Sequence, residues 1–228
     1  MTGRRCAVVL QHVAFEGPGA YETGLRESGF DVRSFLVPGE GLPAGDEDAL
    51  IVMGGPMSVH DPLPWIAEEI KYLRHAIQRG IPVLGVCLGS QLMATAMGGS
   101  VHPGDFAEIG LCEIKTTDEG KIDPCFRVFP ESLKLIEWHG EGILVPDSCA
   151  VLAQSDRYPV QAFRAAERAY GLLFHLELDE VAFATLCKKC PRDVRASGRQ
   201  AIELIADARP HLAGLQSLAQ SFMRTFVR

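Results

Sequence analysis

Cys87 sits at the centre of Gly85-Val-Cys87-Leu-Gly89-Ser-Gln91, between an apolar run at 83–86 and a segment at 89–97 that reads as a helix. The run has the length of a buried parallel strand, and Gly98-Gly99 offers the C-cap that ends the helix. A side chain on a sharp strand-to-helix turn needs small neighbours, because backbone packs on backbone there. Glycines two residues to either side meet that need. The turn lifts the sulfur above the sheet edge, beside free N–H groups and a helix dipole that favour a thiolate and a developing oxyanion. Most free cysteines are merely small buried residues, so the partners decide. A cysteine nucleophile needs a base, and the base needs a group that fixes its tautomer. Phe174-His175-Leu176-Glu177 offers both. Residues i and i+2 of an extended segment share a side, so His175 and Glu177 can touch.

The elbow around Cys87 resembles the nucleophile elbow of the class I, triad-type glutamine amidotransferases. The wider chain is most similar to stand-alone relatives of the glutaminase domain of GMP synthase. The supporting motifs run from Gly54 to Glu177. The family's third motif is H-x-E, usually with proline between; His175 and Glu177 match its two functional positions, and Leu176 departs from the proline. Gly54-Gly-Pro-Met-Ser-Val59 matches the family's oxyanion loop. By that resemblance, the amides of Gly55 and Leu88 would hold the oxyanion of a tetrahedral intermediate. Gln91 resembles a residue that contacts substrate, with Ser90 beside it where many relatives carry something larger. Trp138-His139-Gly140-Glu141 and Gln161-Ala-Phe-Arg164 resemble segments beside the glutamine pocket of the GMP synthase-like branch. Trp138, His139, Glu141 and Arg164 are therefore candidate substrate-binding residues, with Glu141 or Arg164 holding the zwitterionic end. A strand edge and turn would explain the same segments equally well. Glu108-Ile-Gly110 also resembles that branch and reads as structural.

The elements that must position these groups follow in order. Strands are expected at 6–11, 31–37, 49–53 and 83–86, and helices at 19–28, from Asp61-Pro62 to Gly80, and at 89–97. Gly39 to Asp48, rich in glycine, proline and acid, reads as a solvated loop. That β-α-β-β-α-β-α order implies a mainly parallel sheet covered on both faces, with ligands outside the carboxyl ends of the strands. Gly54-Gly55 and Cys87 both fall at such ends. Beyond Ser100, short alternating runs at 109–116, 135–138, 150–155 and 160–164 suggest antiparallel strands. The run at 169–175 returns to the main sheet. Residues 179–228 read as helical, punctuated by Pro191 and Pro210.

At 228 residues the chain suits one α/β domain, with 179–228 as a helical C-terminal extension. The expected fold is a three-layer α/β/α, flavodoxin-like sandwich. A net charge of −7 argues against nucleic acid, and no apolar run reaches the length of a membrane span. Seven cysteines without paired spacing favour a reducing, cytoplasmic compartment, and the N-terminus runs into a strand pattern with no leader. Cys187-x-x-Cys190 lies in a helical stretch without further ligands. His60 and His102 lack partners at metal-ligand spacing. No metal or organic cofactor is expected.

The resemblance implies a glutaminase that cleaves the side-chain amide of glutamine through a thioester on Cys87. The ammonia would pass to an unknown acceptor or a separate synthase subunit. Two alternatives are a free-standing γ-glutamyl peptide hydrolase and a catalytically silent binding module of the same fold.

Overall fold

The computed structural model describes residues 5–228, and the stretch 1–4, expected to lead into the first strand without a leader, lies outside them. β1 (Arg5–Gln11), β2 (Phe30–Leu36), β3 (Ala49–Val52) and β4 (Val83–Val86) form the parallel part of one nine-stranded sheet. Two long strands, β5 (Ser100–Thr116) and β6 (Ser132–Leu144), pair antiparallel, with a break in register between Pro103 and Glu108. β7 (Ala150–Gln154), β8 (Ala162–Ala166) and β9 (Ala169–Leu172) complete the order β2-β1-β3-β4-β9-β8-β7-β5-β6. β9 runs parallel to β4, and from β9 outward every pairing is antiparallel.

Alternation along the central strands explains the layers. Ala7 and Val9 of β1 face one core cluster and Val8 and Leu10 the other, as a period of two requires. Against the second cluster pack α3 (Pro64–Gln78), through Ile66 and Leu73, and α4 (Leu88–Ala96), through Leu92 and Met93. The first cluster takes α1 (Gly19–Glu27), through Tyr21 and Leu25. It also takes the C-terminal helices α6 (Glu180–Lys189), α7 (Pro191–Ala196) and α8 (Ala201–Phe226). Two short helices, α2 (Val37–Glu40) and α5 (Asp118–Ile122), lie in connections. The fold is thus the expected α/β/α sandwich.

Several sequence expectations shift: the short runs at 109–116 and 135–138 are parts of the long β5 and β6, and the strand expected over 169–175 ends at Leu172. α2 occupies the start of the segment read as a loop. Pro210 does not end a helix: it lies inside the 26-residue α8. Pro210 forfeits one backbone hydrogen bond, but Leu204 and Ala208 before it and Leu212 and Leu215 after it are all buried in one cluster. Packing on both sides of the proline outweighs its local preference. Among the described residues, no helix is long and apolar enough to cross a membrane.

Candidate active site

Cys87 joins β4 to α4 with φ 50°, ψ −110°, alone among the described non-glycine residues in having positive φ. That conformation is costly for an L-residue, and the surroundings enforce it. Its N–H donates to Leu172 of β9 at 2.8 Å, and its carbonyl accepts from the Ser90 N–H, the Ser90 hydroxyl and the Gln91 N–H. The flanking glycines serve close approach. A Cβ on Gly85 would lie 2.5 Å from the Gly89 carbonyl oxygen, and one on Gly89 would lie 2.1 Å from that of Val52. The sulfur donates to the Trp138 carbonyl at 3.6 Å.

His175 follows β9 and is fixed from two sides. Its N–H donates to Ile136 of β6 at 2.8 Å, forming an isolated antiparallel bridge. Nδ1 lies 2.7 Å from Glu177 Oε1, while Glu177 Oε2 accepts the Leu176 N–H at 3.0 Å. Burial works against a charge on His175, but the Glu177 carboxylate and the Cys87 sulfur outweigh it and hold the imidazole pKa well above its ordinary value. Glu177 therefore both orients His175 and makes it a stronger proton acceptor.

The Gly54-Gly55 loop follows β3 and closes over the same point. A Cβ on Gly54 would lie 3.4 Å from Cys87 Cβ, 3.4 Å from His175 Cε1 and 2.5 Å from Glu16 Oε2, so Gly54 threads between all three side chains. One on Gly55 would lie 3.2 Å from Leu88 Cδ2. The N–H groups of Gly55 and Leu88 meet no protein acceptor among the described residues. Donors in this arrangement, one beside the nucleophile and one across from it, can stabilise charge on an acyl oxygen.

A cavity of about 270 Å³ opens on the sulfur. Gly55, Cys87, Gln91, Trp138, His139, Glu141 and His175 line it together with Glu16, Cys190 and Asp193. Glu141 accepts a hydrogen bond from the Ser58 hydroxyl at 2.9 Å. Trp138 donates its indole N–H to Asp193 of α7 at 3.0 Å. Arg164 is not among the lining residues; its guanidinium bonds Asp123 at 2.7 Å, and Asp123 also caps the Cys125 and Phe126 N–H groups. The zwitterion-binding role considered for Arg164 therefore has no geometric support. Glu141 stays at the cavity.

Three residues at or behind the cavity were missed. Glu16 and His12 follow β1, and Asp193 lies on α7. Burial, offset in part by His175, pushes the Glu16 carboxyl up to about 6. The carboxyl end of β1 is a ligand edge in a parallel sheet, and that signal could have singled out His12 and Glu16. The fourth position from the end of a short helix carries no such mark, and Asp193 was beyond reach.

His139 is buried beside Glu108 and Glu137, with Nε2 3.4 Å and 3.2 Å from their oxygens. Their donor atoms lie within 4.8 Å of one another, a spacing a metal ion could use. Nδ1 faces the Glu141 carbonyl oxygen at 3.0 Å and must donate to it. Burial disfavours the charge, but the two carboxylates outweigh it and push the imidazole up to about 10. Nε2 and both Glu137 oxygens nevertheless meet no partner with hydrogen-bond geometry among the described residues, so the three side chains form a buried, charged and incompletely satisfied cluster. Cys187 and Cys190 are both pushed up to about 11 by burial, which suits packing rather than thiolate chemistry.

Comparison with known proteins agrees with this geometry. The family model described as Glutamine amidotransferase class-I matches residues 22–185, a stretch that contains Cys87, His175 and Glu177. The glutamine amidotransferase-like protein YfeJ of Salmonella typhimurium is 30% identical over 209 residues, covering 87% of this chain and 87% of that protein. A glutamine-hydrolysing GMP synthase of Neisseria meningitidis is 32% identical over 150 residues, 65% of this chain but 28% of the synthase. The chain thus matches little more than a quarter of that relative's length. A crystal structure of a glutamine amidotransferase from Thermotoga maritima superposes with a TM-score of 0.89 at 26% identity, over 99% of both chains. One from Methylobacillus flagellatus gives 0.87 at 27% identity, over 98% of this chain and 94% of the other.

Proposed function

The chain belongs to the class I glutamine amidotransferase family, and from that membership we propose that it hydrolyses the side-chain amide of glutamine through a thioester on Cys87. The observation that carries the proposal is one cavity lined by Cys87, by His175 with its 2.7 Å partner Glu177, and by Gly55, whose N–H, like that of Leu88 next to the nucleophile, meets no protein acceptor among the described residues. Cys87 passes its proton to His175 and attacks the γ-carbonyl carbon. The Gly55 and Leu88 N–H groups receive the oxyanion. Collapse breaks the C–N bond, and His175 returns the proton to the leaving nitrogen, releasing ammonia. Water, deprotonated by His175, then attacks the thioester; glutamate leaves and the thiol is restored. Gln91, Glu141, Trp138 and His139 form the substrate wall.

The relatives named GMP synthase supply a reason to pass ammonia onward, and a separate synthase subunit is the partner proposed here. A cytoplasmic, reducing setting suits the seven unpaired cysteines. The test measures glutamate release from glutamine and from a γ-glutamyl dipeptide, with Cys87→Ala as the blank. Release from glutamine that disappears in the variant supports the proposal. A strong preference for the dipeptide would replace it with a γ-glutamyl hydrolase. Ligand binding without release from either substrate would leave a silent binding module or an enzyme that turns over only with its synthase partner.

A further inference from the structure

His12 is wholly buried next to the Gly54-Gly55 loop and pairs with an equally buried acid, Glu69 of α3. Its Nδ1 lies 3.0 Å from the Gly54 carbonyl oxygen, and its Nε2 lies 3.1 Å from both Glu69 oxygens. A carbonyl oxygen only accepts, so Nδ1 donates to Gly54; facing a carboxylate, Nε2 donates as well and the ring carries a charge as an imidazolium. Burial disfavours that charge, and Glu69 overcomes it. Trp65 stacks on the ring at 5.1 Å and 19°, fixing its plane.

The geometry of a peptide unit then sets the other end of the bond. Among the described residues no peptide is cis, and a trans unit points its N–H opposite to its C=O. With the Gly54 carbonyl held by His12, the Gly55 N–H is turned away from His12, and Gly55 lines the cavity together with Cys87. Among the described residues, no other hydrogen bond holds the Gly54 carbonyl or the Gly55 N–H. A Cβ at Gly55 would lie 2.9 Å from His12 Cβ, and at Gly54 2.5 Å from Glu16, so the site demands glycine twice. Two successive glycines leave the peptide free to rotate.

Stability gives no reason for the ion pair. A buried pair is often replaceable by apolar residues at little cost, whereas a half-pair is not. We infer that the buried His12–Glu69 pair is a positioning device that clamps the Gly54 carbonyl and so holds the Gly55 N–H ready for the oxyanion before substrate arrives. The inference rests on the hydrolase reading above and deepens it. The oxyanion hole is built within this chain, and no partner is needed to turn the peptide.

Two double variants share Glu69→Met and so leave no orphaned carboxylate. His12→Phe/Glu69→Met keeps a ring against Trp65 but cannot donate to Gly54. His12→Asn/Glu69→Met retains an amide N–H where Nδ1 stood. The phenylalanine variant should lose about a hundredfold in kcat, the scale of one oxyanion donor, with KM within a few-fold. Alkylation of Cys87 by iodoacetamide, which needs no oxyanion hole, should keep its wild-type rate. The asparagine variant should recover most of the lost kcat. A crystal structure of the phenylalanine variant should show the Gly54 carbonyl turned from its wild-type direction.

A phenylalanine variant with kcat within threefold of wild type overturns the clamp. So does alkylation that slows in step with kcat, or an asparagine variant no better than phenylalanine. Should the wild type release no glutamate at all, the hydrolase reading fails separately. The crystal structure then decides the clamp alone: an unturned peptide overturns it, and a turned one supports it.

Discussion

Trp138 donates its indole N–H to Asp193 at 3.0 Å, tying the strand that backs the nucleophile to the C-terminal helices. The Trp138 carbonyl, which receives the Cys87 thiol, is held instead by the long β5–β6 ladder. The two ends of one residue thus answer to different parts of the fold. Asp193→Ala should loosen the indole wall of the cavity and leave the carbonyl in place. We expect KM for glutamine to rise about tenfold, near the value of one hydrogen bond to a charged group, with kcat changed by less than threefold. Steady-state kinetics measure the split, and the emission of Trp138, one of two tryptophans, reports the released indole.

Gly89→Ala tests whether the elbow is a packing requirement. The new Cβ would lie 2.1 Å from the Val52 carbonyl oxygen and 2.7 Å from its carbon, a backbone with no rotamer to change. Overpacking of this kind costs about 3 kcal/mol. In a chain of this length that lowers Tm by about 10 °C. Because Val52 leads directly into Gly54-Gly55, residual activity should fall with the displaced loop. Calorimetry on the variant checks the first effect, and glutamate release at a temperature where it stays folded checks the second.

Much of this site could be read from local chemistry. Gly85, Cys87 and Gly89 announce a tight elbow because their spacing has a steric cause; His175-x-Glu177 announces a pair, although the strand ends at Leu172 and the pair forms on the bend beyond it, where one isolated bridge to Ile136 holds His175. The layers followed from apolar periodicity. What stayed hidden depends on register between distant strands. Gly54 meets His12 only because β3 lies against β1, with Leu10 beside Val52. Arg164 looked free for a substrate because its acid, Asp123, is 41 residues away in sequence. Pro210 reads as a stop locally, and only the packing around α8 carries the helix through it.

Glu16 supplies a test by pH. Its carboxyl, raised from 4.5 to about 6 chiefly by burial, binds its proton more tightly in the folded state. That extra stability is fully present below pH 4.5 and is lost as pH rises through 6. A shift of this size corresponds to about 2 kcal/mol. Glu16→Gln, neutral at every pH, should therefore match wild type at pH 4.5 and exceed it by about 2 kcal/mol above pH 7. Urea denaturation of both proteins across that interval measures the difference. Parallel curves would show that Glu16 titrates normally in the folded chain.

His139 should show the same linkage at the alkaline end. Burial opposes its charge, but Glu108 and Glu137 on either side of Nε2 outweigh that penalty, and the imidazole is pushed up to about 10. A basic group with a raised folded pKa contributes stability that is complete below about pH 6.5. The contribution disappears as pH climbs through 10. Between pH 8 and pH 10 the wild type should therefore lose about 2 kcal/mol to this group. His139→Gln abandons two buried acids and will be less stable at neutral pH, so the informative quantity is the slope. Burial already pushes the Glu137 carboxyl up, and losing the imidazole pushes it further the same way. A denaturation series at pH 8, 9 and 10 should give a steep fall for wild type and a flatter line for His139→Gln. Equal slopes would mean that His139 is neutral between its two acids, leaving their pairing to a shared proton or a bound cation.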